Sequence, residues 1–168
     1  VENAEQAETV EVPHPDNLAF VTQTTLSVDD TSEIIEILQR RFPKIEAPRK
    51  EDICYATTNR QAAVKELADE CEAMIVLGAP NSSNSNRLAE VALTIGCPKS
   101  TLIQRAAELE DGWLDGVSTL GVTAGASAPE ILVQELIDTL SEEFDVTVEE
   151  RNIIDENVTF SLPRALSA

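Results

Sequence analysis

An unbroken apolar run, Ala73-Met74-Ile75-Val76-Leu77-Gly78, is followed by six small polar residues, Asn81-Ser82-Ser83-Asn84-Ser85-Asn86. Behind them Leu88, Val91, Ala92 and Ile95 recur at helical spacing. A short apolar run of this kind suits a buried strand. Strand, polar loop and helix in that order present backbone N–H groups and hydroxyls to an anion at the C-terminal edge of a sheet. The run holds no charged residue. It therefore offers neutral donors, which fit phosphate or another oxyanion.

The same arrangement recurs along the chain. Leu18 to Thr22 reads as a short buried strand, followed by the segment Thr24 to Ser27 and a helix over Asp30 to Phe42. Ser27-Val28-Asp29-Asp30 and Asp30-Thr31-Ser32-Glu33 resemble N-terminal capping patterns, and Ile34, Ile35, Leu38 and Phe42 form the inward stripe. Pro43 ends that helix, and Pro43 to Lys50 reads as a linker or crossover. A second helix is expected over Ala56 to Cys71, with Val64, Leu67, Ala68 and Cys71 on one face. Beyond Ile95 come a short strand at Thr101-Leu102-Ile103 and a weakly helical stretch, Ala107 to Leu114. A strand at Leu120 to Thr123 then leads into Ala124 to Pro129 and a long helix to Phe144. Val146 to Glu149 and Val158 to Leu162 read as late strands or an extended tail. Strands alternating with helices of this length give an α/β class with a mainly parallel sheet and flanking helices. Three small-polar loops opening helices suggest one shared site. Residue types alone leave three ordinary capped helices equally open.

The formal net charge of −19, from 31 acidic and 12 basic residues, disfavours nucleic acid and anionic membrane surfaces as partners. At 168 residues, 42% of them hydrophobic, the chain can bury a real core, but no apolar run is long enough to span a bilayer. No secretory signal is evident. Cys54, Cys71 and Cys97 are odd in number and lack C-x-x-C spacing, so a reducing cytoplasm without disulfides is expected. The first residue is Val1, and the acidic opening to Asp16, which lacks a helical period, reads as part of a longer protein.

Cys54 lies just before the second helix, where the positive end of the macrodipole favours the thiolate that a soft metal or iron–sulfur cluster takes. A small buried side chain is the alternative. Cys71, on an apolar helix face, and Cys97, in the turn Gly96–Pro98, read as core residues. Ser127-Ala128-Pro129-Glu130 has the form of a capping box, with Ser127 starting the helix and its hydroxyl at the loop edge. The chain's one histidine, His14, sits in the polar leader, so a Ser–His–Asp triad lacks its base. Walker A, G-x-G-x-x-G and calcium-loop patterns are absent. Trp113 reads as a packing residue.

Four ordered motifs now carry a resemblance. Gln23-Thr24-Thr25-Leu26-Ser27-Val28-Asp29-Asp30-Thr31, Asp52-Ile53-Cys54-Tyr55-Ala56-Thr57-Thr58-Asn59-Arg60-Gln61, the stretch Asn81 to Glu90 and the stretch Gly121 to Pro129 resemble 4-hydroxy-3-methylbut-2-enyl diphosphate reductase. That family closes the methylerythritol phosphate route to isoprenoids. The resemblance implies a [4Fe–4S] cluster held by three cysteines and enclosed by three α/β domains in pseudo-threefold arrangement. It implies reductive removal of an allylic hydroxyl as water, giving isopentenyl and dimethylallyl diphosphate. It also implies a ferredoxin or flavodoxin as electron donor and a cytoplasmic location, or the plastid stroma in a plastid-bearing host. Carried over by motif, Cys54 matches the third cluster cysteine. Ser82, Ser83, Asn84 and Ser127 match diphosphate ligands. Thr24 matches a threonine near the substrate hydroxyl.

The departures are large. Two further cluster cysteines, the substrate-binding histidines and the proton-relaying glutamate belong to N-terminal domains that this sequence does not contain. Cys71 and Cys97 do not fall at ligand positions. The resemblance thus divides the chain into an acidic leader (1–16), the end of the middle domain (17–49) and the third domain with a C-terminal tail (50–168). Such a part is expected to be inactive alone. The competing reading is a non-catalytic α/β module that binds a phosphorylated small molecule through the same loops.

Overall fold

The computed structural model describes residues 1–49, 52–154 and 158. Its centre is a three-stranded parallel sheet in the order β2-β1-β3, formed by β1 (Ala73–Leu77), β2 (Ser100–Ile103) and β3 (Leu120–Ala124). Every residue of β1 is buried. Ile75 pairs with Thr101 on one side and Val122 on the other.

Side chains alternate across a strand, and β1 uses both faces. Met74 and Val76 join Val64, Ala68, Leu88, Val91, Ala92 and Cys97 in one core. That core is roofed by α3 (Tyr55–Ala68) and α4 (Ser83–Ile95). Ile75 and Leu77 join Ile103, Ala106, Leu136 and Leu140 in the other, under α5 (Ile131–Glu143). Trp113 packs on this second core, and the Lys99 ammonium lies 5.0 Å from its ring centroid. Burying a Leu or Ile fully contributes about 1.5–3 kcal/mol, so the β1 side chains anchor both layers.

Outside this sandwich, α2 (Val28–Arg41) carries α1 (Ala4–Thr9) on its surface. The leader was expected to lack a helix. Asn3 caps α1 by accepting the Gln6 N–H, and Arg41 donates to the carbonyls of Ala7 and Val10, the latter at 2.8 Å. Ser27 caps α2, its Oγ accepting the Asp30 N–H at 3.3 Å, as the Ser27–Asp30 pattern implied. The buried residues of α2 are Thr31 and Ile37, with Phe42 behind them, whereas Ile34, Ile35 and Leu38 are half-covered.

Other expectations need correction. Leu18 to Thr22 is not a buried strand. It makes a single parallel bridge, Ala19 to Glu46, and Val21 is 83% exposed. A lone bridge leaves that segment without the neighbours a strand requires. Ala107 to Leu114 shortens to one 3-10 turn, Ala106–Glu108, followed by turns that include positive-φ Gly112. Ile95, placed with Leu88, Val91 and Ala92 on one helix face, is exposed. Val146 to Glu149 forms no strand, and of Val158 to Leu162 all but Val158 lies outside the described residues. Among the described residues no helix is long and apolar enough to cross a membrane.

Candidate functional site

In parallel sheets the C-terminal strand ends face the ligand edge. Here β1 ends at Leu77 and β3 at Ala124, and the Gly125 N–H continues the ladder by donating to the Leu77 carbonyl at 2.8 Å. The loops after the two strands therefore leave the sheet side by side.

The Asn81–Asn86 run is less a loop than a helix start. Ser82 is the N-cap of α4 and Ser83 its first residue, so Ser83 to Asn86 form the first turn. Ser82 Oγ accepts the Ser85 N–H at 3.3 Å, and Asn86 Nδ2 donates to the carbonyls of Pro80 and Ser82 at 2.8 and 2.9 Å. Gly96, at φ +117°, ends the helix in the left-handed conformation that favours glycine. Free N–H groups at the opening of α4 thus face the strand ends, where the helix dipole attracts an anion.

Inside this turn Asn84 is 7% exposed, and neither its Oδ1 nor its Nδ2 has a hydrogen-bond partner. Its Nδ2 would lie 3.8 Å from a Cβ placed on Gly125, so the amide faces the β3 loop. A buried amide left unpaired costs about 1–3 kcal/mol. A ligand oxygen accepting from Nδ2 would offset the donor's share of that cost, whereas Oδ1 calls for a donor. Ser83 is exposed beside it and Ser82 is half-buried.

The Thr24 loop is held rigidly against the start of α3. The Thr22 N–H donates to Asp52 Oδ2 at 2.8 Å, and the Cys54 N–H donates to the Thr24 carbonyl at 3.0 Å. Gln61, 1% exposed, donates from Nε2 to the Leu26 carbonyl at 2.8 Å and accepts the Val28 N–H at 3.0 Å. Arg60 Nε reaches the Ala124 carbonyl at 3.2 Å, which ties α3 to the end of β3. A cleft of about 290 Å³ separates this loop from the α4 turn, lined among others by Gln23, Thr25, Asn81, Ser83 and Arg87. Thr25 Oγ1 is a further buried, unpartnered group at its wall.

Cys54 is the N-cap residue of α3. It is exposed, and its side chain makes no capping hydrogen bond. Cys71 and Cys97 are buried in the sheet core, as expected of packing residues, and Cys97 Sγ lies 3.3 Å from the Lys99 carbonyl. Burial, then the neighbouring Cys97 and Glu70, push the Cys71 thiol up. Among the described residues no three His, Cys, Asp or Glu side chains are grouped to hold a metal ion. Exposed Cys54 fits the role of one thiolate ligand, and the described residues offer no complete ligand set.

Ser127 departs from its expected role as a cap. The helix begins four residues later, at Ile131, with Glu130 at the N-cap position and no side-chain capping bond. Pro129 disfavours helical geometry at Ala128, which works against a helix opening on Ser127. Ser127 instead lies exposed in a turn closed by the Ala128 N–H on the Gly125 carbonyl at 2.9 Å. His14 is exposed in the leader. The sequence reading overlooked Ser85, Gly78 and Gly125. Ser85 lies three residues after the N-cap, where its N–H is the natural cap donor, and that spacing was the available signal.

Known proteins resemble this chain along almost all of its length. The family model described as LytB protein matches residues 1–141. The chain is 56% identical over 164 residues to 4-hydroxy-3-methylbut-2-enyl diphosphate reductase 1 of Bradyrhizobium diazoefficiens, covering 98% of this chain and 51% of that protein. It is 61% identical over 153 residues to the reductase of the same name from Phenylobacterium zucineum, covering 91% and 48%. The solved structure of the E-1-hydroxy-2-methyl-but-2-enyl-4-diphosphate reductase from Plasmodium falciparum superposes with a TM-score of 0.89 at 32% identity, over 98% of this chain and 52% of that one. The chain thus spans about half the length of the curated relatives it matches. With the motifs, the sheet and the loop arrangement all in agreement, the chain belongs to the LytB family.

Proposed function

We propose that this chain supplies the diphosphate clamp and one cluster cysteine of an iron–sulfur reductase. The enzyme would convert 4-hydroxy-3-methylbut-2-enyl diphosphate to isopentenyl and dimethylallyl diphosphate. The observation that carries the reading is Asn84: a buried amide with both polar atoms unpartnered, at the N-terminus of a 13-residue helix. Ser82, Ser83 and Asn84, with the free N–H groups of the turn, would donate to diphosphate oxygens, and Ser127 would approach from the β3 loop. Neutral donors suit an anionic ligand in a protein of net charge −19, because oriented dipoles outweigh the overall field at close range. Thr24, held beside Cys54 through its carbonyl, would place its side chain near the substrate hydroxyl.

Cys54 would hold a [4Fe–4S] cluster together with two cysteines outside this chain. When bound, such a cluster supplies electrons for removing the allylic oxygen. A ferredoxin or flavodoxin would deliver them, in the cytoplasm or a plastid stroma. The residues present here would bind and orient the diphosphate. By this reading the chain does not turn over substrate alone.

The test uses the protein of full relative length that contains this chain, reconstituted anaerobically with iron and sulfide. Cys54→Ser should lower bound iron severely and abolish turnover, while leaving diphosphate binding in place. Unchanged iron content in that variant would overturn the ligand assignment.

A further inference from the structure

Ser85 is 1% exposed and its hydroxyl is wedged between two glycines. A Cβ on Gly78 would fall 2.2 Å from Ser85 Oγ, and one on Gly125 would fall 2.1 Å from it. These glycines follow β1 and β3, so the hydroxyl sits where the two strand ends and the α4 turn meet. Neither glycine has a positive φ. Both are required by this close approach rather than by backbone conformation.

The hydrogen-bond arithmetic of this junction is restrictive. A hydroxyl has one hydrogen and two acceptor sites. Ser82 Oγ accepts the Ser85 N–H at 3.3 Å and the Ser85 Oγ–H at 3.0 Å. Both acceptor sites of Ser82 are then used, and its own hydrogen is left to point out of the turn. The reverse polarity would leave the Ser85 hydrogen packed against two glycine Cα atoms, a buried unsatisfied donor.

We infer that Ser85 is a positioning residue that locks the Ser82 hydroxyl as an outward donor, making the site selective for fully ionised phosphoryl groups, whose oxygens only accept. The inference rests on the reading of this turn as a diphosphate clamp and adds a selection rule to it. A singly protonated phosphoryl group carries an O–H that finds no acceptor at a locked Ser82. Ionisation of that group falls near pH 6 for a phosphate ester. Ser85→Ala keeps the Cβ contact with the glycines, frees the Ser82 rotor, and lets it accept as well as donate.

The experiment is titration calorimetry of methyl diphosphate, whose terminal phosphoryl group ionises near about pH 6, into the full-length protein that contains this chain and its Ser85→Ala, Ser82→Ala and double variants, across about pH 5.5 to 8.5. Wild type should bind and lose affinity steeply at the acidic end. Ser85→Ala should bind roughly tenfold more weakly at high pH, with a flatter profile, in line with one charged hydrogen bond loosened. The double variant should be no weaker than Ser82→Ala, because Ser85 acts through Ser82. No binding by wild type would overturn the clamp itself. Normal clamp binding with a wild-type pH profile in Ser85→Ala, or additive losses in the double variant, would overturn the positioning role alone. A measurement on wild type guards against misfolded variants. Proton NMR should show a slowly exchanging Ser85 hydroxyl before ligand is added, and a fast-exchanging one contradicts the lock.

Discussion

The Cys54 N–H donates to the Thr24 carbonyl at 3.0 Å, so the candidate cluster ligand and the candidate substrate-facing threonine are joined through one backbone bond. Any shift of the Thr24 loop is passed to the cysteine that opens α3. Gln61 reinforces the join two turns further on, holding the Leu26 carbonyl and the Val28 N–H with one buried amide.

Gln61→Leu keeps most of the volume and removes both bonds. Each backbone group left unpaired in a covered position costs about 1–3 kcal/mol. Urea unfolding should show a loss of at least that size, and amide exchange at Val28 and Cys54 should accelerate together. Stability within about 0.5 kcal/mol of wild type, the usual range for surface changes, would show that the amide is not a tie.

The three thiols should separate by reactivity. Cys54 is exposed, whereas Cys71 and Cys97 are buried, and burial is the first cause of the raised Cys71 value. Iodoacetamide with mass mapping should label Cys54 first in the folded chain, and the other two after denaturation. Because the folded Cys71 value lies above the unfolded one, its contribution to stability is complete below the ordinary thiol range. It is lost as pH climbs through the raised value. Early labelling of Cys71 would contradict its place in the core.

Glu72 should make the acid side of the stability curve steeper. Its carboxylate accepts the Ser118 N–H at 2.5 Å and the Thr119 N–H at 3.1 Å, and these two bonds hold its value below the usual glutamate range. A lowered folded value gives stability that is present above the unfolded value and lost as pH falls through the folded one. Melting temperatures between about pH 3 and 6 should therefore fall less steeply for Glu72→Gln than for wild type, taking the reference glutamate near 4.3. Parallel curves would remove Glu72 from the acid response.

The β1 run and the α4 stripe were legible because their patterns are local. Five consecutive apolar residues at Ala73–Leu77 and the Leu88, Val91 and Ala92 spacing each specify their element without help from distant residues. Cys54 before α3 and Ser27 capping α2 were legible for the same reason. Ser127 was misread because the S-x-x-E pattern scores a cap while Pro129 disfavours the first turn, and the proline prevails. The Ser85 junction was hidden because it is made across the sheet: Gly78 and Gly125 are 47 positions apart and meet only when β1 and β3 pair. The unpartnered Asn84 amide has no sequence signature either, since its isolation depends on what surrounds it.

Asn84→Leu tests the central claim most directly, because it sets stability against binding. An unpartnered buried amide is a cost in the free protein and a donor in the complex. The variant should unfold at equal or higher urea concentration than wild type, with a gain of up to about 1–3 kcal/mol. Its calorimetric affinity for inorganic diphosphate should fall by roughly tenfold or more. A variant that is less stable yet binds diphosphate as wild type does would make Asn84 a structural residue and contradict the assignment of this turn as the clamp.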